Sequence, residues 1–377
     1  MHADIHRLLE AQGGAASVAQ LCAAGLSRYA VDALIRSKHL TRVRRDVVVL
    51  TEALTAATPW ERRRLLIRGI GHSLAPARRP DRSLGITTLD AAPAQQTVPA
   101  APAQQTVPAP AGLALSHGSL LRLQDLPCFG DDNLVHLSRV GSGKGRRDGI
   151  VWVHSPVSPD MVVEVEGIRV VVPVLAAMQV AATHGLEAGV VALDGVLHAA
   201  EVADARSAHE QGRAPDPFGW RHRDPVSPPG PARAEADRQI QVLLEQGFGK
   251  ATSTVHKVVA LADGRSESSG ESRTRWTVHL LGLGPATPQF AVWDGRTLIG
   301  VADLKLDGHM VLIEYDGRTK YTGSDDLLSE KWREDRLREL GYQVVRITWE
   351  DLARPHVVRG RILAAIARAQ ASAAPAR

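Results

Sequence analysis

Short amphipathic patterns separated by glycine and serine fill the first fifty residues. Apolar positions three and four apart predict helices at 3–12, 18–24 and 28–37, and a serine N-cap precedes each of the last two. The three-residue turn between those two helices is typical of a helix-turn-helix. The stretch 40–50 then predicts a β-hairpin, so we expect a winged helix-turn-helix.

The third helix and the wing carry side chains suited to DNA. Val31, Leu34 and Ile35 share the inward side of this helix, so its polar residues face outward. A recognition helix enters the major groove with the wing on the backbone, and we expect phosphate contacts more than base contacts. The expected DNA-binding residues are Arg28, Tyr29, Arg36, Lys38, Arg42, Arg44 and Arg45.

The middle of the chain predicts a small α/β region. Ser116 caps a helix, strands are expected at 134–138 and 150–154, a hairpin at 161–172, and two helices within 174–200. These elements are enough for one small sheet with helices packed on it.

A glycine-rich basic loop at 141–147 lies between the two middle strands. Its spacing differs from that of a nucleotide-binding P-loop, so no nucleotide cofactor is expected. Lys144, Arg146 and Arg147 are instead candidate contacts to a phosphate backbone. An ordinary solvated turn is the alternative that the sequence leaves open.

The C-terminal pattern predicts a compact α/β unit with the element order α-β-β-β-α-β-α. The predicted elements are helix 271–281, strand 289–293, hairpin 301–321, helix 329–340, strand 342–347 and a helix from 349. Asp307-Gly308 predicts a two-residue type I′ turn in the hairpin, because both positions of that turn need positive φ.

The predicted hairpin brings acidic side chains to one face. With a two-residue turn, Asp303 opposes Leu312, and Asp303, Glu314 and Asp316 all point the same way. Asp303 and Glu314 are then diagonal neighbours with Cβ atoms about 7 Å apart. Like charges this close favour a bound cation, and oxygen ligands without nearby cysteine indicate Mg²⁺ or Mn²⁺.

Such a site suits metal-assisted phosphodiester hydrolysis. Lys320 is the candidate for steadying the attacking water or the developing charge, and Lys305, on the same face by parity, competes for that function. An ordinary solvated hairpin face remains the alternative.

Charge and composition add a partner and a compartment. Residues 1–80 hold 13 lysines and arginines and 6 acidic residues, a net charge of +7 (13 − 6), against +4 for the whole chain. This basic block predicts DNA as the partner of that end, with a merely basic surface as the alternative. Two isolated cysteines, no signal peptide and no apolar run near the roughly 18 residues of a membrane span predict a cytoplasmic, nucleoid-associated protein without a membrane contact. The 15 histidines show no metal-ligand spacing, so zinc is not expected.

Two segments mark the boundaries between the predicted domains. AAPAQQTVP occurs twice in tandem at 91–108, and 207–234 holds six prolines; neither composition builds a core. The predicted domains are a winged helix at 1–74, a disordered insert at 75–112, a middle α/β domain at 113–206, a linker at 207–234 and a C-terminal α/β domain at 235–377.

Motifs in the C-terminal domain resemble those of PD-(D/E)XK nucleases. E-S-x-T-R at 271–275, A-D at 302–303, E-Y-D-G-x-x-K-Y at 314–321 and E-K-x-x-E-D-x-L-R-x-L-G-Y-x-V-V-R at 330–346 are similar to the very-short-patch-repair-endonuclease-like branch. The resemblance covers about 267–368. It implies a restriction-endonuclease-like fold, a divalent cation and cleavage of DNA.

The resemblance also implies residue roles. Asp303 and Glu314 match the two strand acids that hold the metal, and Glu271 matches the acid of the leading helix. The chain departs from the family pattern in lacking the proline before the first acid and in having Asp316 where a lysine is usual. The lysine function is therefore expected from Lys320, or it has been lost.

The N-terminal half resembles a second family. Residues 3–55 are similar to the winged-helix domain of AbiEi-type antitoxins, and L-S-H-G-S-L-L-R-L-Q-D-L at 115–126 is similar to the helix that opens the next region of that family. The expected fold is therefore a multidomain α+β and α/β protein: a winged helix, a small α/β domain and a restriction-endonuclease-like domain.

Three functional interpretations follow. We expect a Mg²⁺- or Mn²⁺-dependent DNA endonuclease acting in defence or repair, with Asp303, Glu314, Lys320, Asp316 and Glu271 at its site. An antitoxin or transcriptional autorepressor with an inactive nuclease fold is the alternative, and a protein-binding scaffold ranks last. A double-strand cut normally needs two active sites, so a homodimer or a transient pairing of two chains is expected for that reaction.

Overall fold

A computed structural model describes residues 3–74, 112–130, 132–213, 228–317 and 324–373. Nearly all of the predicted insert at 75–112, with its tandem repeat, lies outside the described residues, as does the central part of the predicted linker. The chain divides into two compact units. The first contains residues 1–126 and 131–179, and the second contains 127–130 and 180–377.

The first unit begins with short helices around a small antiparallel sheet. Its elements are α1 Ala3–Ala11, β1 Ala15–Ser17, α2 Val18–Ala23, α3 Arg28–Arg36, β2 Leu40–Arg44, β3 Val47–Leu50, α4 Thr51–Ala56 and α5 Pro59–Leu74. The predicted helices and the hairpin are confirmed, as are the serine caps of α2 and α3. Strand β1 was not predicted, because three small residues carry no alternating pattern; it pairs with β3 to give the order β1-β3-β2.

The helices close over this sheet through one apolar core. Leu9, Leu21, Val31 and Val48 are all fully buried in it. Helix α5 packs on β3 at Gly69, where a Cβ atom would lie 2.4 Å from the side chain of Val47. Glycine at this position therefore allows the close contact between helix and strand.

A six-stranded mixed sheet forms the rest of the first unit. Its elements are β4 Gly112–Leu115, α6 His117–Leu123, β5 Val135–Val140, β6 Arg146–Asp148, β7 Val151–Val157, β8 Val162–Val165 and β9 Ile168–Val171, and a further helix, α7 Pro173–His184, follows and runs on into the second unit. The strand order is β6-β7-β5-β4-β9-β8. The hairpin predicted at 161–172 is confirmed as β8 and β9.

The second unit combines helices with a four-stranded sheet. Its elements are α8 Leu186–Glu210, α9 Pro231–Gln246, α10 Thr252–Leu261, α11 Ser269–Leu280, β10 Ala286–Asp294, β11 Thr297–Leu306, β12 Val311–Asp316, α12 Ser324–Glu339, β13 Gln343–Thr348, α13 Trp349–Leu352 and α14 Pro355–Ala373. The predicted order α-β-β-β-α-β-α is confirmed. Strands β10, β11 and β12 are successive antiparallel neighbours, and β13 returns parallel to β12 after α12.

The sheet of the second unit has an apolar core on each face. Leu304, Ile313 and Ile347 pack with Ile362 of α14 in one core. Leu312 packs with Leu337 of α12 in the other. Because both faces are covered, α11, α12 and α14 are held firmly against the central strands.

Buried ion pairs join α11 to α8. Arg275 donates to Asp194 at 2.6 Å, and Asp194 is fully buried. Arg273 donates to Glu187 at 2.7 Å. Both arginines of the E-S-x-T-R motif therefore have an acidic partner on the neighbouring helix, and loss of either arginine would leave that acid without its positive charge.

Among the helices that the structure describes, none is both long and apolar enough to cross a membrane.

Candidate active site

The hairpin at the candidate site has a longer turn than predicted. Leu304 pairs with Ile313 and Leu306 pairs with Val311, so four residues, rather than two, connect β11 to β12. The predicted two-residue turn at Asp307-Gly308 is therefore wrong. Burial explains the register, because pairing Leu306 with Val311 places two fully buried side chains together in the core.

The correction brings the two strand acids closer in register. Extending the observed pairing by one residue places Asp303 opposite Glu314, where the predicted turn placed it opposite Leu312. The shift is two residues, so side-chain parity is unchanged and Asp303 and Glu314 still share a face. Directly opposed residues lie nearer than diagonal ones, which strengthens the case for a shared cation.

Asp303 lies in a partly buried, negatively charged environment. Its Oδ2 accepts a hydrogen bond of 2.7 Å from the backbone N–H of Tyr315. Burial, followed by the charge of Glu271 and then that of Glu314, raises the pKa of Asp303 to about 7. No lysine or arginine of the described residues neutralises this carboxylate. A cation would relieve that repulsion.

Glu271 reaches the same place from the first turn of α11. Its carboxylate accepts hydrogen bonds from Ser268 Oγ at 2.8 Å and from the backbone N–H of Glu267 at 2.9 Å. Burial raises the pKa of Glu271. This carboxylate therefore caps the helix N-terminus in addition to facing Asp303.

Two residues that support the site were not predicted. Gln289 on β10 donates from Nε2 to Glu271 at 3.0 Å and has a φ of +48°, unusual for a residue with a side chain. Gly270 lies under the ring of Tyr315, where a Cβ atom would meet the ring at 2.1 Å. The positive φ is a signal that only the structure provides, because nothing in a single sequence marks it.

Glu314 has arginine partners that were not predicted. Nη1 of Arg333 on α12 lies 2.8 Å from its carboxylate, and Nε of Arg346 on β13 lies 3.8 Å away. Arg346 also pairs with Glu334 at 2.5 Å. Glu314, which lies opposite Asp303, is therefore paired with arginines, whereas Asp303 is not.

The structure gives less information about the other predicted catalytic residues. Asp316 lies at the end of β12, in register with Thr348, and is exposed. Lys320 lies outside the described residues. The ammonium of Lys305 lies 5.6 Å from the ring centre of Phe290 in a cation–π contact. The identity of the functional lysine stays a prediction.

The carboxylates suit a two-ligand cation site. Within the described residues, no three carboxylates lie close enough together to ligate one ion; the one group of three ligand-type side chains is His117, His136 and His154 in the first unit. Mg²⁺ is commonly held by one or two carboxylates plus waters and substrate phosphate oxygens. The donor set of Asp303 and Glu314 fits that pattern.

The predicted DNA-binding residues of α3 and the wing lie at the surface. Arg28, Arg36 and Lys38 are exposed, and the guanidinium of Arg36 lies 5.4 Å from the ring centre of Tyr29. Tyr29 is 76% exposed, so its ring is available at the surface.

The wing arginines are partly held by acidic neighbours. Arg42 pairs with Asp32 at 2.6 Å, and Arg45 is exposed. Arg44 pairs with Asp148 of β6 at 3.4 Å. This last contact places the wing beside the edge strand of the six-stranded sheet.

The second predicted basic cluster lies on that edge strand and in the loop before it. Lys144, Arg146 and Arg147 are all exposed, and Arg147 lies 5.8 Å from the ring centre of Trp152. The Arg44–Asp148 contact brings the wing and this cluster together at one surface of the first unit. We call it the basic surface; it comprises Arg42, Arg44, Arg45, Lys144, Arg146 and Arg147.

Comparison with known proteins gives distant relatives of unknown function. No protein-family model and no solved structure matches the chain. Two curated proteins of Mycobacterium tuberculosis, the uncharacterized proteins Rv2248 (strain ATCC 25618 / H37Rv) and MT2308 (strain CDC 1551 / Oshkosh), are each 28% identical over 137 residues, or 36% of this chain. The matched region spans about half of each relative (48%).

Proposed function

We propose that this protein is a DNA-binding, divalent-metal-dependent endonuclease whose C-terminal unit hydrolyses phosphodiester bonds. The observation that carries the proposal is the arrangement around Asp303. This carboxylate and Glu271 repel each other while partly or fully buried, and neither has a cationic partner among the described residues. Buried like charges without compensation are destabilising, which is a feature of functional sites more than of surface hairpins.

Asp303 and Glu314 would hold Mg²⁺ or Mn²⁺ at this place. A bound ion of this kind polarises a phosphate oxygen and lowers the pKa of its water. Gln289 and the helix cap orient Glu271 beside Asp303. The hydrogen bond from the N–H of Tyr315 fixes the Asp303 carboxylate, so the ligand is positioned before substrate arrives.

An arginine-lined pocket that includes Arg346, a partner of Glu314, supports contact with a polyanion. Arg338, Arg346 and Arg368 line one pocket together with Glu334. Guanidinium groups bind phosphate oxygens in a bidentate manner, so this pocket suits a DNA backbone that passes Glu314. The basic surface of the first unit supplies further phosphate contacts.

A nicking assay tests the proposal. Protein without an affinity tag is incubated with supercoiled plasmid, single-stranded DNA and a mismatched duplex, in EDTA, Mg²⁺ or Mn²⁺. We expect cleavage of at least one substrate only with metal. Asp303→Asn and Glu314→Gln are expected to reduce it by about 100-fold or more, because each removes a metal ligand.

The matched control is Asp237→Asn on α9, an exposed aspartate paired with Arg233, which is expected to cut like the wild type. Absence of cleavage of all three DNA forms with either metal would contradict the proposal.

One observation favours a second candidate function. Arg333 and Arg346 already neutralise Glu314, and a usual lysine position is occupied by Asp316. A DNA-binding antitoxin or transcriptional autorepressor with an inactive nuclease fold would retain such pairs. It predicts sequence-specific, salt-dependent DNA binding that is unchanged in Asp303→Ala and Glu314→Ala, without metal-dependent cleavage by the wild type.

A further inference from the structure

Three histidines from separate elements converge in the first unit. His117 begins α6, His136 lies on β5 and His154 lies on β7, and one ring nitrogen of each lies within 4.8 Å of the others. Strands β5 and β7 are parallel neighbours in which Ser138 pairs with His154. Residues two apart on a strand share a face, so His136 and His154 project from the same side of the sheet.

Hydrogen bonds orient the three imidazoles. Nδ1 of His136 lies 2.8 Å from Nε2 of His154, and Nε2 of His136 lies 3.0 Å from Oδ1 of Asp132. Nδ1 of His117 lies 2.9 Å from Oγ of Ser116. An acceptor on one ring nitrogen directs the other nitrogen of His136 toward the cluster, as in carboxylate–histidine–metal arrangements.

The surrounding polar side chains build a defined site. His117 and His136 are 3% and 2% exposed. The side chain of Gln179 accepts from the backbone N–H of His117 at 3.3 Å and donates to Oγ of Ser138 at 3.1 Å. His117 has a φ of +51°, a conformation that costs energy for a residue with a side chain and recurs at ligand sites.

We propose that His117, His136 and His154 bind one divalent transition-metal ion, with Zn²⁺ as the best-matched ion. Neutral imidazole nitrogens are preferred ligands of zinc, and three histidines with one open position make a common zinc site. Asp132 contacts the outer nitrogen of His136, so it acts as the outer-shell carboxylate and leaves the fourth position to water or another ligand.

The required adjustment is small for His136 and His154, whereas the ring of His117 has to rotate out of its stack on His154. Two nitrogens about 2.0–2.1 Å from one tetrahedral zinc lie about 3.3 Å apart. The 2.8 Å contact between His136 and His154 therefore opens by about half an ångström when the ion replaces the shared hydrogen. His154 then carries its proton on Nδ1, and His117, stacked on His154 with ring centres 3.8 Å apart, turns one nitrogen toward the ion.

The site would stabilise the sheet that carries the basic surface. The ion links the start of α6 to β5 and β7, and β7 pairs with the edge strand β6 that carries Arg146 and Arg147. Binding only to the folded state raises the melting temperature of the first unit. This inference does not depend on the nuclease proposal, because none of the three histidines belongs to the second unit.

Zinc titration of the full chain tests the site. Protein without an affinity tag is stripped with EDTA, dialysed and titrated with Zn²⁺ by calorimetry, with Co²⁺ absorption as a second readout. We expect one zinc ion bound at the histidine cluster, a higher melting temperature and tetrahedral Co²⁺ bands. His154→Gln is expected to weaken binding by about 100-fold or more and Asp132→Asn by about 10- to 100-fold.

Two variants keep the test decisive. His6→Gln, which replaces a histidine with a 44% exposed side chain on α1, is expected to bind zinc like the wild type. His154→Cys replaces one ligand with another and is expected to restore binding with a sulfur-to-cobalt charge-transfer band. Absence of stoichiometric binding, or affinity equal to the wild type in His154→Gln, overturns the proposal and identifies the cluster as a hydrogen-bonded network only.

Discussion

Replacing Asp303 by Asn should make the protein more stable at alkaline pH. Burial and neighbouring acids raise the pKa of Asp303 from an ordinary value of 3.8 to about 7. The folded protein therefore keeps this proton up to about pH 7, whereas the unfolded chain releases it near pH 4. Since the folded state binds more protons between these values, its stability falls as the pH rises through that range.

The size of the effect follows from the pKa difference. Each pH unit in the window is worth about 1.36 kcal/mol, so full ionisation destabilises the folded state by up to about 4 kcal/mol. Between pH 5 and pH 8 the window spans about two units, which gives about 2–3 kcal/mol. Asn retains the shape of Asp and still accepts from the N–H of Tyr315, so the substitution mainly removes the charge.

Urea unfolding followed by tryptophan fluorescence measures this difference. The free energy of unfolding of Asp303→Asn minus that of the wild type is expected to increase by about 2–3 kcal/mol from pH 5 to pH 8. Asp237→Asn, an exposed control, should show no such trend. Mg²⁺ at about 100 times its Kd should restore about 2.7 kcal/mol to the wild type at pH 8 and nothing to Asp303→Asn. A difference between wild type and Asp303→Asn that is independent of pH would refute the assignment of Asp303 as the uncompensated acid.

Three further substitutions test the structure around the site and the DNA-binding surface. Gly270→Ala should destabilise the second unit by about 1–3 kcal/mol in urea unfolding, because its Cβ would meet the Tyr315 ring at 2.1 Å. Gly360→Ala on α14, which has open space around it, should instead be neutral or stabilising. Equal effects of the two substitutions on the free energy of unfolding would contradict the predicted clash. Arg275→Met should lower the free energy of unfolding by about 3–5 kcal/mol, because the buried Asp194 loses its arginine partner. Arg275→Lys should have a smaller effect. A decrease below about 1 kcal/mol in Arg275→Met would contradict a buried ion pair. Arg146→Gln should weaken DNA binding in fluorescence anisotropy and lower the slope of log affinity against log salt concentration by about 1. Arg238→Gln on α9 should leave the affinity and the slope unchanged. An unchanged salt slope in Arg146→Gln would show that this arginine does not contact DNA.

Local patterns in the sequence correctly predicted most helices and strands, but they gave the wrong length for the turn between β11 and β12. Helix caps such as Ser17 and Ser27 act within a few residues, so their helices were correctly placed. Asp307-Gly308 is also a local signal, but the register of the hairpin is decided by the pairing of Leu306 with Val311 in the core. Strand β1 is too short to carry an alternating pattern and depends on β3 for its pairing.

Local patterns also predicted part of the candidate site. Side chains alternate along a strand, so a change of two residues in the register of the hairpin leaves Asp303 and Glu314 on the same face. The arginine partners of Glu314 come from α12 and β13, so no local pattern indicated them. The histidine cluster has members on α6, β5 and β7, and it lacks the short spacing by which metal sites are found in sequences.

A paired measurement of DNA cleavage and DNA binding distinguishes a metal-dependent nuclease site at Asp303 and Glu314 from a site that only binds DNA. Wild type, Asp303→Asn and Asp237→Asn are compared on one labelled DNA substrate at saturating protein in Mn²⁺, with single-turnover cleavage and anisotropy recorded on the same samples. We predict equal DNA affinity for all three proteins and a cleavage rate reduced by about 100-fold or more in Asp303→Asn alone. Tight DNA binding without cleavage by the wild type would contradict a nuclease function and support a DNA-binding regulator.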